Sequence, residues 1–178
     1  MVNSKGQEIN MTTKSIYIVG SLKNIPAIQA FAIELRAHLA LLDLGINIEV
    51  KDDWTSHGPD PDTYFCEYAL ARKFSYSEAL NNPVARSVFF TDKAFIDAAS
   101  AVILLQPAGR SAMGELCYAA GKGKATAIIK ESAYYDRVEI MELFSDVISN
   151  DQEEFFKSGL AQILERIVPK RDQFSWVE

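Results

Sequence analysis

A three-layer α/β sandwich around a parallel sheet is the fold this sequence predicts. Two observations carry it. Short apolar, β-rich runs alternate with segments whose apolar residues repeat at helical spacing. The first strand–helix–strand unit, Ser15 to Val50, is the length of a right-handed parallel crossover. The chain has 178 residues, enough for one ordinary domain with a sizeable core. Residues 1–14 read as a flexible tail and 15–178 as a single domain, with no repeat, low-complexity segment or linker.

Each element has its own signal. SIYIVG, Ser15–Gly20, is a buried strand ending in glycine. Pro26 suits a first helical turn, and Ile28, Phe31, Ala32, Leu35, Leu39 and Leu42 follow at helical spacing. Gly45 ends that helix, and Ile46–Val50 is the second strand. The polar stretch Asp52–Asp62 reads as a loop, Thr63–Leu80 as one helix, Asn81-Asn82-Pro83 as a break, and Val84–Ala99 as a further helix. AVILL, Ala101–Leu105, is a central buried strand. After the Gln106–Arg110 loop, Ser111 is expected to cap a helix running to Lys122. Ala125–Ile129 is the next strand, Val138–Phe144 a short helix, and Val147–Ile148 a weak edge strand. Asp151 caps the last helix, whose apolar face is Phe155, Leu160, Ile163, Leu164 and Ile167.

Composition narrows the function classes. Apolar residues make up 48% and charged residues 24%, which argues against disorder and fibre. The net charge of −6 disfavours a general nucleic-acid backbone binder but permits a local basic pocket. No apolar run approaches the roughly 18–20 residues of a membrane span. The polar start MVNSKGQEINMTTKS lacks a signal core, and Cys66 and Cys117 form no framework. The expected setting is the cytoplasm.

Ligands of such sheets bind beyond the strand C-termini, which here carry Gly20-Ser21, Asp52-Asp53-Trp54 and Gln106–Glu115. Glu115 is expected in the first turn of its helix, where the positive end favours an ionised carboxylate. By position it suits a plain capping acid or a nucleophile. Asp92 shares a stripe with Val88, Phe95, Ile96 and Ala99, a place where acids are rare unless paired or functional. Asp97, off that stripe, reads as a helix-end residue contacting backbone. Two carboxylates near one sheet edge point to glycosyl chemistry, in which one attacks an anomeric carbon and another group manages protons. No His/Cys/Asp cluster has metal-ligand spacing, which disfavours metal chemistry, and glycosyl transfer through a carboxylate requires no metal or organic cofactor. There is no G-x-S-x-G; His38 reads as a helix-surface residue and His57 as an exposed loop residue. Arg110 and Ser111, beside Gly109, could bind a phosphate, with Ser21 and Lys23 completing the pocket, or Arg110 could pair with a surface acid.

IYIVGS, Asp92 ahead of AVILL, and MGELCYAAGKGKATAII together resemble the nucleoside 2-deoxyribosyltransferase family, whose superfamily includes nucleoside 5′-monophosphate N-glycosidases. The resemblance covers roughly residues 15–150. It implies a flavodoxin-like sandwich with a five-stranded parallel sheet in the order 2-1-3-4-5. It implies that Glu115 is the nucleophile of a covalent glycosyl intermediate and that Asp92 assists at the base. Tyr17, Gly20 and Ser21 would line the sugar or phosphate site. Asp53 and Trp54 fall in the base-contacting region, where Trp54 would stack on the base or merely anchor its loop. A small-molecule nucleoside or nucleotide substrate and a homo-oligomer follow from the same resemblance. The sequence departs from it at Glu139, where the transferases place an asparagine reaching a neighbouring site, at Ser100, where an acid is common, and in the long stretch 61–83. Two other readings stand beside it. One is an NAD-cleaving hydrolase like Toll/interleukin-receptor domains, and the other a non-catalytic nucleotide sensor.

Overall fold

The computed structural model describes residues 12–56, 61–130 and 140–168. Five strands, β1 (Thr13–Gly20), β2 (Asn47–Lys51), β3 (Ala101–Leu105), β4 (Ala125–Ile129) and β5 (Val147–Ser149), form one all-parallel sheet. Their order is β2-β1-β3-β4-β5, the flavodoxin-like order expected. β3 and β4 are buried at every position, as central strands between two helical layers must be.

Alternation along β1 divides the core. Ile16 and Ile18 face α1 (Ile25–Ala40) and α7 (Leu160–Ile167), packing with Ile28, Phe31, Leu35, Phe155 and Ile163. Tyr17 and Val19 face the other way, toward α4 (Pro83–Ala98) and α5 (Arg110–Gly121), packing with Ile96, Ala112, Leu116 and Ala119. The small residues on that face of α5 let it lie close to the sheet.

Several expectations shift. β1 begins at Thr13, inside the stretch read as tail. α1 ends at Ala40 with Leu41 as its cap, and Gly45, at φ 64°, turns the chain into β2 instead of ending the helix. The polar loop contains a 3₁₀ turn, Asp53–Ser56. The single helix expected over Thr63–Leu80 is two, α2 (Pro61–Ala71) and α3 (Tyr76–Leu80). Ser75 and Glu78 form a capping box that starts α3 afresh, satisfying two free amides reciprocally. Residues Ile140–Phe144 form a 3₁₀ helix, and positions 138 and 139 of the expected short helix lie outside the described residues. Asp97 contacts side chains and not only backbone: it pairs with Lys93 and accepts from Tyr118 Oη at 2.8 Å.

Asp151 does cap the last helix, accepting from the Glu154 N–H at 2.8 Å. α6 (Gln152–Glu154) runs through a π-helical turn, Phe155–Gly159, into α7. Gly159 sits where that turn presses on the sheet. A Cβ there would lie 2.8 Å from Phe155 Cδ2 and 3.0 Å from both Ser149 Oγ and Val147 Cγ1. Helix propensity alone favours alanine by about 0.8–1.0 kcal/mol, but overpacking costs about 1–3 kcal/mol. Gly159→Ala is therefore expected to destabilise the protein, by about 1 kcal/mol in urea unfolding. A variant more stable than the parent would show that the turn relaxes freely.

Candidate active site

A cavity of about 740 Å³ opens at the C-terminal edge of the sheet, over β1 and between α4 and α5. Tyr17 and Val19 form its floor. Gly20, Ser21 and Lys23 come from the end of β1, Trp54 from the turn after β2, Ser87, Thr91, Asp92 and Phe95 from α4, and Gly109, Ser111 and Glu115 from α5. The crossover connections produce this gathering. α4 enters β3 and α5 leaves it, so carboxylates far apart in sequence face one space above β1.

Tyr17 is 4% exposed, and its ring stacks on Phe95 with centroids 5.8 Å apart. Its phenol is pushed well above the ordinary tyrosine range, first by burial, then by the negative charges of Glu115 and Asp92. Both carboxylates thus act on the same hydroxyl, which stays neutral and is a hydrogen-bond donor. Glu115 and Asp92 are both half-buried.

Trp54 is both anchor and wall. β2 ends its pairing at Lys51, opposite Tyr17, leaving the next β1 carbonyl without a strand partner on that side. The Trp54 indole N–H donates to that Ile18 carbonyl at 2.8 Å, which holds the ring against the cavity. Gly20 is needed for packing: a Cβ there would lie 2.7 Å from Ile28 Cδ1 and 3.2 Å from the Leu105 carbonyl oxygen. The Ser21 hydroxyl accepts from the Lys23 N–H at 3.2 Å, capping the short turn Leu22–Asn24.

The start of α5 differs from the expectation. Gly109, not Ser111, is its N-cap, and no side chain among the described residues caps it. Glu115 is consequently in the second turn and not the first. Uncapped first-turn amides at the cavity rim give a positive, donor-rich edge suited to an anion.

Of the residues singled out in the sequence, Tyr17, Gly20, Ser21, Trp54, Asp92, Gly109, Ser111 and Glu115 line this cavity. Asp53 and Arg110 do not; both are exposed outside its lining. Lys23 is the cation on the wall. Ser87 and Thr91 were not singled out, although their four-residue spacing beside Asp92 is a helical-face signal. His57 and Glu139 lie outside the described residues. Among the described residues, no group of three or more His, Cys, Asp or Glu is placed to hold a metal ion, and no helix is long and apolar enough to cross a membrane.

No protein-family model matches the chain, and no curated protein matches its sequence. Among solved structures it is similar to the CMP N-glycosidase BcmB of Clostridium botulinum. Identity is 15%, over 84% of this chain and 99% of that one, with a TM-score of 0.45.

The raised Tyr17 pKa has a signed consequence. In the unfolded chain the phenol ionises near its ordinary value of about 10, while in the folded protein it holds its proton. The unfolded chain thus loses a proton first, and Tyr17 withdraws stability as pH rises above about 10. Absorbance titration of the folded protein at high pH is expected to show one more resistant tyrosine than Tyr17→Phe does. Identical titrations would place the phenol in solvent.

Proposed function

We propose that this protein cleaves or exchanges the N-glycosidic bond of a nucleoside 5′-monophosphate or (2′-deoxy)nucleoside through a covalent glycosyl-glutamate intermediate. The observation that carries the reading is the meeting of Glu115, Asp92 and a buried neutral Tyr17 on one cavity at the ligand edge of the sheet. The resemblance of the Asp92 and MGELCYAAGKGK segments to the deoxyribosyltransferases supports it independently.

In the first half-reaction a Glu115 carboxylate oxygen attacks C1′ of the sugar as the C1′–N bond breaks. The bonding pair leaves with the base, and Asp92 supplies or relays the proton, or orients the base that takes it up. The neutral Tyr17 hydroxyl, close enough to feel both carboxylate charges, is a donor available to the attacking carboxylate. Water, or a second base, then attacks C1′ from the opposite side and frees Glu115, giving net retention. Trp54 offers its indole face to the base. Ser87 and Thr91 offer hydroxyls to the base edge. Ser21, Lys23 and the uncapped amides of α5 receive the 5′-phosphate.

Released base is the readout, in a chromatographic assay over a panel of nucleosides and 5′-monophosphates. A second free base in half the reactions separates transfer from hydrolysis, and an NAD arm reports nicotinamide release. Glu115→Ala is expected to lose several orders of magnitude in turnover with its fold intact. Retention of more than about a tenth of the activity would remove Glu115 as nucleophile.

The phosphate is expected to improve kcat/KM by at least about tenfold over the nucleoside, the equivalent of about 1.4 kcal/mol. Lys23→Ala should erase most of that gain, while Arg110→Ala should leave it in place. The reverse pattern would move the phosphate to the outer side of the α5 start.

A further inference from the structure

The 3₁₀ segment Ile140–Phe144, IMELF, inverts the usual rule of burial. Ile140 is 74% exposed and Leu143 79%, while the acid between them, Glu142, is 8% exposed. A segment that spends its one carboxylate on the interior and leaves its apolar residues outside is not organised for core packing.

The buried carboxylate has two partners on one oxygen. Gln106 Nε2 donates to Glu142 Oε1 at 2.9 Å, and Lys130 Nζ donates to the same atom at 2.7 Å. Lys130 is itself 8% exposed and immediately follows β4. Gln106 immediately follows β3, and its own N–H donates to the Ile129 carbonyl at 2.9 Å. The loop it begins ends at Gly109, the uncapped start of α5 on the cavity rim. The Gln106 side chain thus ties the start of that loop to the buried Glu142, beside the backbone bond to Ile129. A buried ion pair is weak grounds for stability, because desolvation offsets its attraction. It does fix geometry, and here the fixed end is the loop leading to the helix that carries Glu115.

We propose that Glu142, acting through Gln106, is a positioning residue for the active-site loop 106–109, and that it holds the first amides of α5 in place for substrate. Its effect on turnover rests on the function proposed above; its effect on the loop does not. Loosening the tie acts first on the helix start, which meets the phosphate, and less on Glu115 one turn further in. The expected signature is a weakened KM with kcat nearly preserved.

Removing Glu142 would also break the buried Lys130–Glu142 pair, so the test cuts the tie at its other end. Gln106→Leu leaves the Lys130–Glu142 pair intact and should melt like the parent. Backbone amide exchange by NMR is read at Met113, whose N–H closes the first turn of α5 on the Gly109 carbonyl at 3.2 Å, with Ile128 as the control. The expected result is about tenfold faster exchange at Met113, none at Ile128, and a KM for the 5′-monophosphate raised about fivefold with kcat within about twofold. Met113 exchange within about twofold of the parent would overturn the proposal. A parent protein that turns over no nucleotide would contradict the function, while the exchange rates would still decide the anchor.

Discussion

The pairing of β3 with both its neighbours is the constraint on which the rest of the molecule depends. Its five residues, Ala101–Leu105, are at most 2% exposed, and β1 and β4 flank it in continuous parallel register. A strand so enclosed has no freedom to slip, since a one-residue shift would exchange its two faces. The helices that enter and leave it are therefore fixed on one side of the sheet. Asp92 on α4 and Glu115 on α5 are brought over Tyr17 by that connection, without contact between them in sequence.

The enclosed floor sets the electrostatics. Tyr17 holds its proton because its surroundings are apolar and because two carboxylate charges oppose a third negative charge nearby. The same charges make the space attractive to a centre that becomes positive, such as a sugar carbon losing its base. At the rim the sign reverses. Lys23 and the uncapped start of α5 favour an anion. A substrate with a phosphate at one end and an anomeric carbon further in would match both fields.

Much of this was legible in the sequence because strand cores are local signals. AVILL and ATAII become β3 and β4 residue for residue. The Asp92 stripe was visible from helical spacing, and the cavity accounts for the acid on it. The rest depended on tertiary placement or on competing local signals. The capping box at Ser75 and Glu78 divides the stretch expected as one helix over Thr63–Leu80. A serine at 111 drew the cap away from Gly109, and with it the turn in which Glu115 sits. Glu142 carries no sequence signal of its own within the expected short helix; it is in the fold that Gln106 and Lys130 meet it in the interior.

The central claim is a covalent bond between Glu115 and the sugar, and trapping that bond tests it most directly. Fluorine at C2′ of a nucleotide slows both half-reactions by destabilising the oxocarbenium-like transition state, and the adduct accumulates when its hydrolysis is the slower step. Mass spectrometry of the protein incubated with such a nucleotide should find the added mass of the fluorinated sugar phosphate on the peptide carrying Glu115. Base release from the natural nucleotide with no adduct, or with the adduct on another residue, would contradict the account.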